Sequence, residues 1–239
     1  MKLAITEDGC LFSAKLNIKT KEKQKMKAVI FIDVQNDFIK GGKLAFGYPT
    51  KDNVPEIIKF AKECRAKGYM LYATADTHEQ TVYDTYDKDN AKPITGYRTT
   101  LEGKLLPIDH CIEGTSGHKI VDGLVKDENG DVIIPQGHIV NKHTFGSFDL
   151  LNRLDQDFAV DTYGEPTFQS PCYGIGEKLD EIILCGYCTS ICIMANAVML
   201  RAKYPNLKIT VREDLCGDVD AESHKAAIKV LQMQQINIA

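Results

Sequence analysis

The segment that most constrains this chain is Ala28 to Val34, AVIFIDV, an apolar run broken only by Asp33 near its end. Such a run leaves no polar face. A strand made of it is buried on both sides, as in a parallel sheet covered by helices. Later segments repeat the same grammar. Between Asn53 and Lys67, Val54, Ile57, Ile58, Ala61 and Cys64 recur at helical spacing, with Gly68 just past the end. Further strands are predicted at Tyr69 to Asp76, near His138 to Lys142, at Glu181 to Cys185 and over KITVRED. A helix is predicted from Thr189 to Ala202, with Ile191, Ala195, Val198 and Met199 on one face, and a last one from Ala221 to Met233. Strands alternating with helices predict an α/β fold of three layers, α/β/α, around a mainly parallel central sheet.

Composition narrows the function classes. The chain has 239 residues and a formal net charge of −4. It has no basic stripe that would mark a nucleic-acid partner and no apolar run long enough to span a bilayer. The first twenty residues scatter charges where a secretory leader needs an apolar stretch, so the cytoplasm is the expected compartment. There the eight cysteines are expected to be thiols. Residues 1–27, ending in KTKEKQKMK, are expected to be an N-terminal extension ahead of a domain over residues 28–239. The stretch from Phe148 to Lys178 is a candidate lid or oligomer contact, and a homo-oligomer is expected.

In a parallel sheet, functional residues collect at the carboxyl ends of strands. Asp33, Asp76, Lys142 and the 186–192 loop all fall there. A carboxylate at Asp33 can accept a proton or cap a turn. A lysine at Lys142 can hold a thiolate or an oxyanion by charge. Cys192 sits where a loop turns into a helix, and a helix N-terminus favours the thiolate. Asp76 and His78 form an Asp-x-His pair, with His110 as a third candidate ligand. One carboxylate and two imidazoles suit zinc, iron or manganese. The spacing Cys185-x-x-Cys188-x-x-x-Cys192 is a rival metal signature.

Taken together, FIDVQNDF, ATADTHEQ, HCIEGTSG, VNKHTFGSF and GYCTSIC resemble the isochorismatase-like cysteine hydrolases, and within them the nicotinamidase branch. The resemblance runs from about Ala28 to the end of the chain. It implies that Cys192 attacks a small amide and forms a thioester, that Asp33 relays the proton, and that Lys142 steadies both. It implies an oxyanion hole from the backbone N–H groups of Cys188 and Cys192, with a cis peptide before Cys188. It implies Asp76, His78 and His110 as ligands of a divalent metal, zinc first, and Phe38 and Tyr187 as walls of the substrate pocket. The chain departs from the pattern in having no tryptophan. Thr77 stands between the Asp and His ligands where the branch usually has one, and the stretch before His110 reads LLPID.

Overall fold

A computed structural model describes residues 26–84, 86, 91–158 and 179–239. Six parallel strands form one sheet in the order β5-β2-β1-β6-β7-β8. The central strand is β1 (Met26–Ile32), and its last five residues are buried. To one side lie β2 (Met70–Asp76) and β5 (Ile139–Lys142). To the other lie β6 (Leu179–Tyr187), β7 (Lys208–Gly217) and the short β8 (Asn237–Ile238). A separate two-stranded ribbon, β3 (Val82–Tyr83) with β4 (Pro93–Thr95), is antiparallel.

Crossover handedness places the helices. The chain moves one way from β1 through α1 (Val54–Ala66) to β2, and later through the short α2 (Leu101–Leu105) and α3 (Asp122–Val125) to β5. It then reverses, running from β5 through α4 (Phe148–Phe158) to β6, through α5 (Met194–Lys203) to β7, and through α6 (Ala221–Met233) to β8. Right-handed crossovers in opposite directions put the two groups on opposite faces of the sheet. The result is the three-layer arrangement expected from the alternating pattern. α1 buries Val54, Ile57, Ala61 and Cys64, the stripe its spacing predicts. α4 buries Leu150, Leu151, Leu154 and Phe158.

The structure differs from the sequence expectation in three places. β1 begins at Met26, so Met26 and Lys27 belong to the sheet, and it ends at Ile32, leaving Asp33 just beyond with φ +49. The helix expected from Thr189 opens instead as a π-helical turn, Thr189–Ile193. This wider first turn rotates the rest of the helix, so α5 buries Asn196, Ala197 and Leu200, while Val198 is exposed. Finally, the expected lid over 148–178 is helical to Phe158, and residues 159–178 lie outside those described, as do residues 1–25.

The reversal occurs between β1 and β6, which are neighbours. Open α/β sheets commonly bind ligands in the crevice at such a switch point. Gly186, at the end of β6, lets the two strand ends close up there. Its φ is +119, and a methyl group at this position would overlap the carbonyl oxygen of Ile32. Gly186→Ala should therefore cost more than about 1 kcal/mol in urea unfolding. An unchanged midpoint would refute the close approach.

Candidate active site

Four strand ends converge on this crevice. Asp33 follows β1, Asp76 ends β2, Lys142 ends β5, and Cys192 lies in the turn after β6. The structure brings together all four. The Lys142 ammonium, almost fully buried, lies 2.8 Å from Asp33 Oδ2 and 2.9 Å from Asp76 Oδ1, and it donates to Cys192 Sγ at 3.5 Å. Asp33 Oδ1 accepts from the Thr74 hydroxyl at 2.6 Å. Its Oδ2 is buried, and its contact with Lys142 is not a well-aligned hydrogen bond. That oxygen has a lone pair open to a further proton.

Charge and burial set the resting protonation. Burial pushes the Asp33 carboxyl up from its ordinary range, the Lys142 charge opposes this, and the Asp76 charge adds to it. Burial likewise pushes the Cys192 thiol well up, with Lys142 opposing. Lys142 is pulled down by burial, but the charges of Asp33, Cys192 and Asp76 outweigh that and hold it well above the usual lysine range. Burial thus raises the proton affinity of both the thiol and the carboxyl, and one ammonium touches both.

Asp76 faces two ways. Its Oδ1 meets Lys142, while its Oδ2 lies 2.9 Å from His78 Nε2 and 3.5 Å from His110 Nε2. Glu102, on α2, completes the group, with Oε1 at 3.6 Å from His78 Nε2 and 4.0 Å from His110 Nε2. Ligand atoms of Asp76, His78, Glu102 and His110 all lie within 4.8 Å of one another. The His110 Nδ1–H points at the Ile108 carbonyl, 2.8 Å away. That contact leaves Nε2 free to coordinate, the usual outer contact of a metal-ligating imidazole. Burial and the Asp76 charge push the Glu102 carboxyl up. Two crowded carboxylates and two imidazole nitrogens are a donor set that a divalent cation would satisfy. The sequence alone does not single out Glu102. It stands eight positions before His110 on a short helix, with no signature spacing, and only the folding of the 77–118 loop brings it in.

The loop is braced around the site. Gln35, fully buried, accepts from the Asp76 N–H at 2.7 Å and donates to the Asp76 and His118 carbonyls. Asp37 accepts from the Cys111 N–H at 2.8 Å. A cavity of about 650 Å³, counting its open mouth, lies over these groups. Asp76, Glu102, His110, Cys188 and Cys192 supply its polar and thiol edge; Phe38, Leu44, Phe46, Leu106, Phe145 and Val219 are among its apolar walls. Phe38 stacks on Phe46 at 5.2 Å between ring centroids, and Phe46 stacks on Tyr187 at 6.0 Å. Phe38 lines the cavity. Tyr187 stands behind Phe46, bonded through its hydroxyl to Asn53, and lines a second cavity of about 580 Å³ that shares the wall of Phe38 and Phe46.

The remaining sequence candidates sort cleanly. The Tyr187–Cys188 peptide is cis. Cys188 lines the main cavity and opens the π-helical turn, with its carbonyl accepting from Ile193 N at 3.0 Å. Cys185 lies fully buried in the sheet core and takes no part in the ligand group. The six described cysteines are all free thiols. Among the described residues, no helix is long and apolar enough to cross a membrane.

A parallel α/β sheet gathers a thiol, a carboxyl and an ammonium at its switch point, an arrangement that suits a hydrolase. The sequence model of the isochorismatase domain matches residues 27–238, so the chain belongs to that family. It is 27% identical over 225 residues to a nicotinamidase of Schizosaccharomyces pombe, covering 88% of this chain and 91% of that one. It is 25% identical over 227 residues to a probable inactive nicotinamidase of Arabidopsis thaliana, covering 91% and 92%. The fold also matches the crystal structure of a Pyrococcus horikoshii pyrazinamidase in complex with zinc. There the TM-score is 0.58 and the identity 19%, over 89% of this chain and 98% of that one.

Lys142 is the single cation beside two buried carboxylates. Lys142→Met should cost about 3 to 5 kcal/mol at neutral pH, because Asp33 is left without its ammonium and Asp76 keeps only His78 and His110. The Asp33 carboxyl, already pushed up by burial, would then lie further above its unfolded value of about 4. A carboxyl raised on folding favours the folded state only while protonated. The deficit should therefore shrink as pH falls toward about 4 and grow as it rises, as read by urea unfolding across that range. A deficit that does not vary with pH would sink the ion-pair account.

Proposed function

We propose that this protein is a metal-containing cysteine amidohydrolase that converts nicotinamide to nicotinic acid and ammonia. The observation that carries the reading is the contact of Lys142 with Asp33, Asp76 and Cys192 at one point, under a cavity with flat apolar walls. An unactivated amide needs a strong nucleophile, a proton for the departing amine and an anion hole. Asp33 Oδ2 takes the Cys192 proton. The sulfur adds to the amide carbon, and Lys142 steadies the charge as it moves. The carbonyl oxygen, now negative, is received by the N–H groups of Cys188 and Cys192. Asp33 returns the proton to the nitrogen, and ammonia leaves. Water activated by Asp33 then hydrolyses the thioester and restores the thiol.

Asp76, His78, Glu102 and His110 would hold a divalent cation, zinc first, with iron or manganese as alternatives. Its contribution, when bound, is to anchor the ring nitrogen of the substrate and orient the amide toward Cys192. Phe38 and Phe46 supply a stacked aromatic wall for the ring. A second reading is another small amide or carbamoyl substrate. It is favoured by the aliphatic Leu106 in the wall and by the absence of any tryptophan in the chain.

The purified protein, supplied with zinc, should release ammonia from nicotinamide, and Cys192→Ala should lose that release by at least about a thousandfold. Release only from other amides in a panel supports the second reading. No release from any of them rejects the amidase assignment. His78→Ala should lower bound metal, measured by elemental analysis, and raise KM while Cys192 still reacts with iodoacetamide. Metal content equal to that of the unaltered protein would overturn the ligand assignment.

A further inference from the structure

We propose that Asp218 is a positioning residue, which holds the turn bearing Cys188 and Cys192 in the geometry that receives the oxyanion; this rests on the cysteine-hydrolase reading of the site. Asp218 follows β7 and is fully buried. Among the described residues it is paired with no lysine, arginine or histidine. Four neutral donors surround its carboxylate instead. Oδ1 accepts from the Cys188 thiol at 2.6 Å, the Ser190 hydroxyl at 2.7 Å and the Val219 N–H at 2.7 Å. Oδ2 accepts from the Ser190 N–H at 2.8 Å. Two of the contributing residues, Cys188 and Ser190, belong to the stretch that leads into Cys192.

The main chain of Asp218 is equally fixed. It exchanges two hydrogen bonds with Tyr48, at 3.0 and 2.8 Å. Next to it, the Gly217 carbonyl accepts from the Thr189 hydroxyl at 3.0 Å, and that hydroxyl in turn meets His224 Nδ1 at 2.9 Å. The root of the turn is thus tied to the end of β7 at three successive residues, Cys188, Thr189 and Ser190. Cys188 and Val219, on either side of the carboxylate, line the cavity, but Asp218 itself does not. It acts through the turn rather than on substrate.

A buried carboxylate without a cation is expensive unless hydrogen bonds to its charged form compensate. Here they come from the segment whose backbone must be aimed. A negative charge close to a developing oxyanion would, taken alone, slow the reaction. The geometry points the other way: the charge draws in the Ser190 N–H and the Cys188 thiol, and so fixes where the neighbouring N–H groups point. Burial and the Asp218 carboxylate together push the Cys188 thiol up to about 12, which keeps it a hydrogen-bond donor to the carboxylate at neutral pH.

The test is Asp218→Asn, which keeps the shape and removes the charge. On nicotinamide, kcat should fall about a hundredfold, the scale of a misplaced catalytic group, with KM unchanged. Alkylation of Cys192 by iodoacetamide needs no anion hole and should keep its rate. Hydrogen exchange in peptides spanning 187–193 should quicken about tenfold, the worth of one charge-assisted hydrogen bond, with no change over 26–32. A kcat that is unchanged or higher overturns the proposal, as does a loss in which kcat and alkylation fall together. If the unaltered protein hydrolyses no amide, the cysteine-hydrolase reading fails, and the exchange data still decide whether Asp218 holds the turn. If Asp218→Asn does not fold, Ser190→Ala removes one donor and should give the same pattern at about threefold. Exchange equal to that of the unaltered protein would then overturn the proposal.

Discussion

One ammonium organises the centre of this protein. Lys142 is buried among Asp33, Asp76 and Cys192, and it touches all three. Two carboxylates crowded in a low-dielectric crevice repel each other and lose their hydration. A cation between them reverses the balance and also fixes their separation. Because each carboxylate ends or follows a different strand, the same contact pins the carboxyl edge of β1, β2 and β5 together. Electrostatics within the site and alignment of the sheet are, at this point, one interaction.

The division of labour around Asp76 comes from that arrangement. One carboxylate oxygen is committed to the Lys142 ammonium, and the other turns toward His78, Glu102 and His110. The His78, Glu102 and His110 group and the Cys192 thiol are thereby linked through Asp76 and Lys142. Gln35 grips the backbone of Asp76 from beneath, so neither demand can rotate it away from the other.

The sheet was legible in the sequence because its strands are buried on both faces, and such strands carry their environment in every residue. Asp33, Asp76, Lys142 and Cys192 stood out because a parallel sheet exposes strand ends, and polar residues closing apolar runs mark those ends. Glu102 and Asp218 were not legible. Glu102 reaches the cluster through an irregular loop whose path no periodicity encodes. Asp218 lies after KITVREDLCG among other acidic residues, and nothing in its neighbourhood announces that it folds inward. The π-helical turn was hidden for a related reason. Thr189 to Ala202 has an ordinary helical composition, and the widened opening goes with hydrogen bonds that the Thr189 hydroxyl and the Ser190 N–H donate to Gly217 and Asp218. Those partners lie nearly thirty positions away. Tertiary partners, not local preference, set the phase of α5.

The stack of Phe38, Phe46 and Tyr187 gives the cavity a boundary of an unusual kind. On most sides the site is backed by the sheet and its packed layers, where a change of side-chain volume disturbs the core. Here Phe38 and Phe46 line cavities on both sides. Trimming a ring in such a partition merges two existing spaces instead of opening a void in dense packing. The dimensions of the site can thus change at Phe46 with less disturbance of the core than at Phe38 or Tyr187, which belong to it. At Phe46 the volume of the site can therefore change while Lys142 keeps its contacts with Asp33, Asp76 and Cys192.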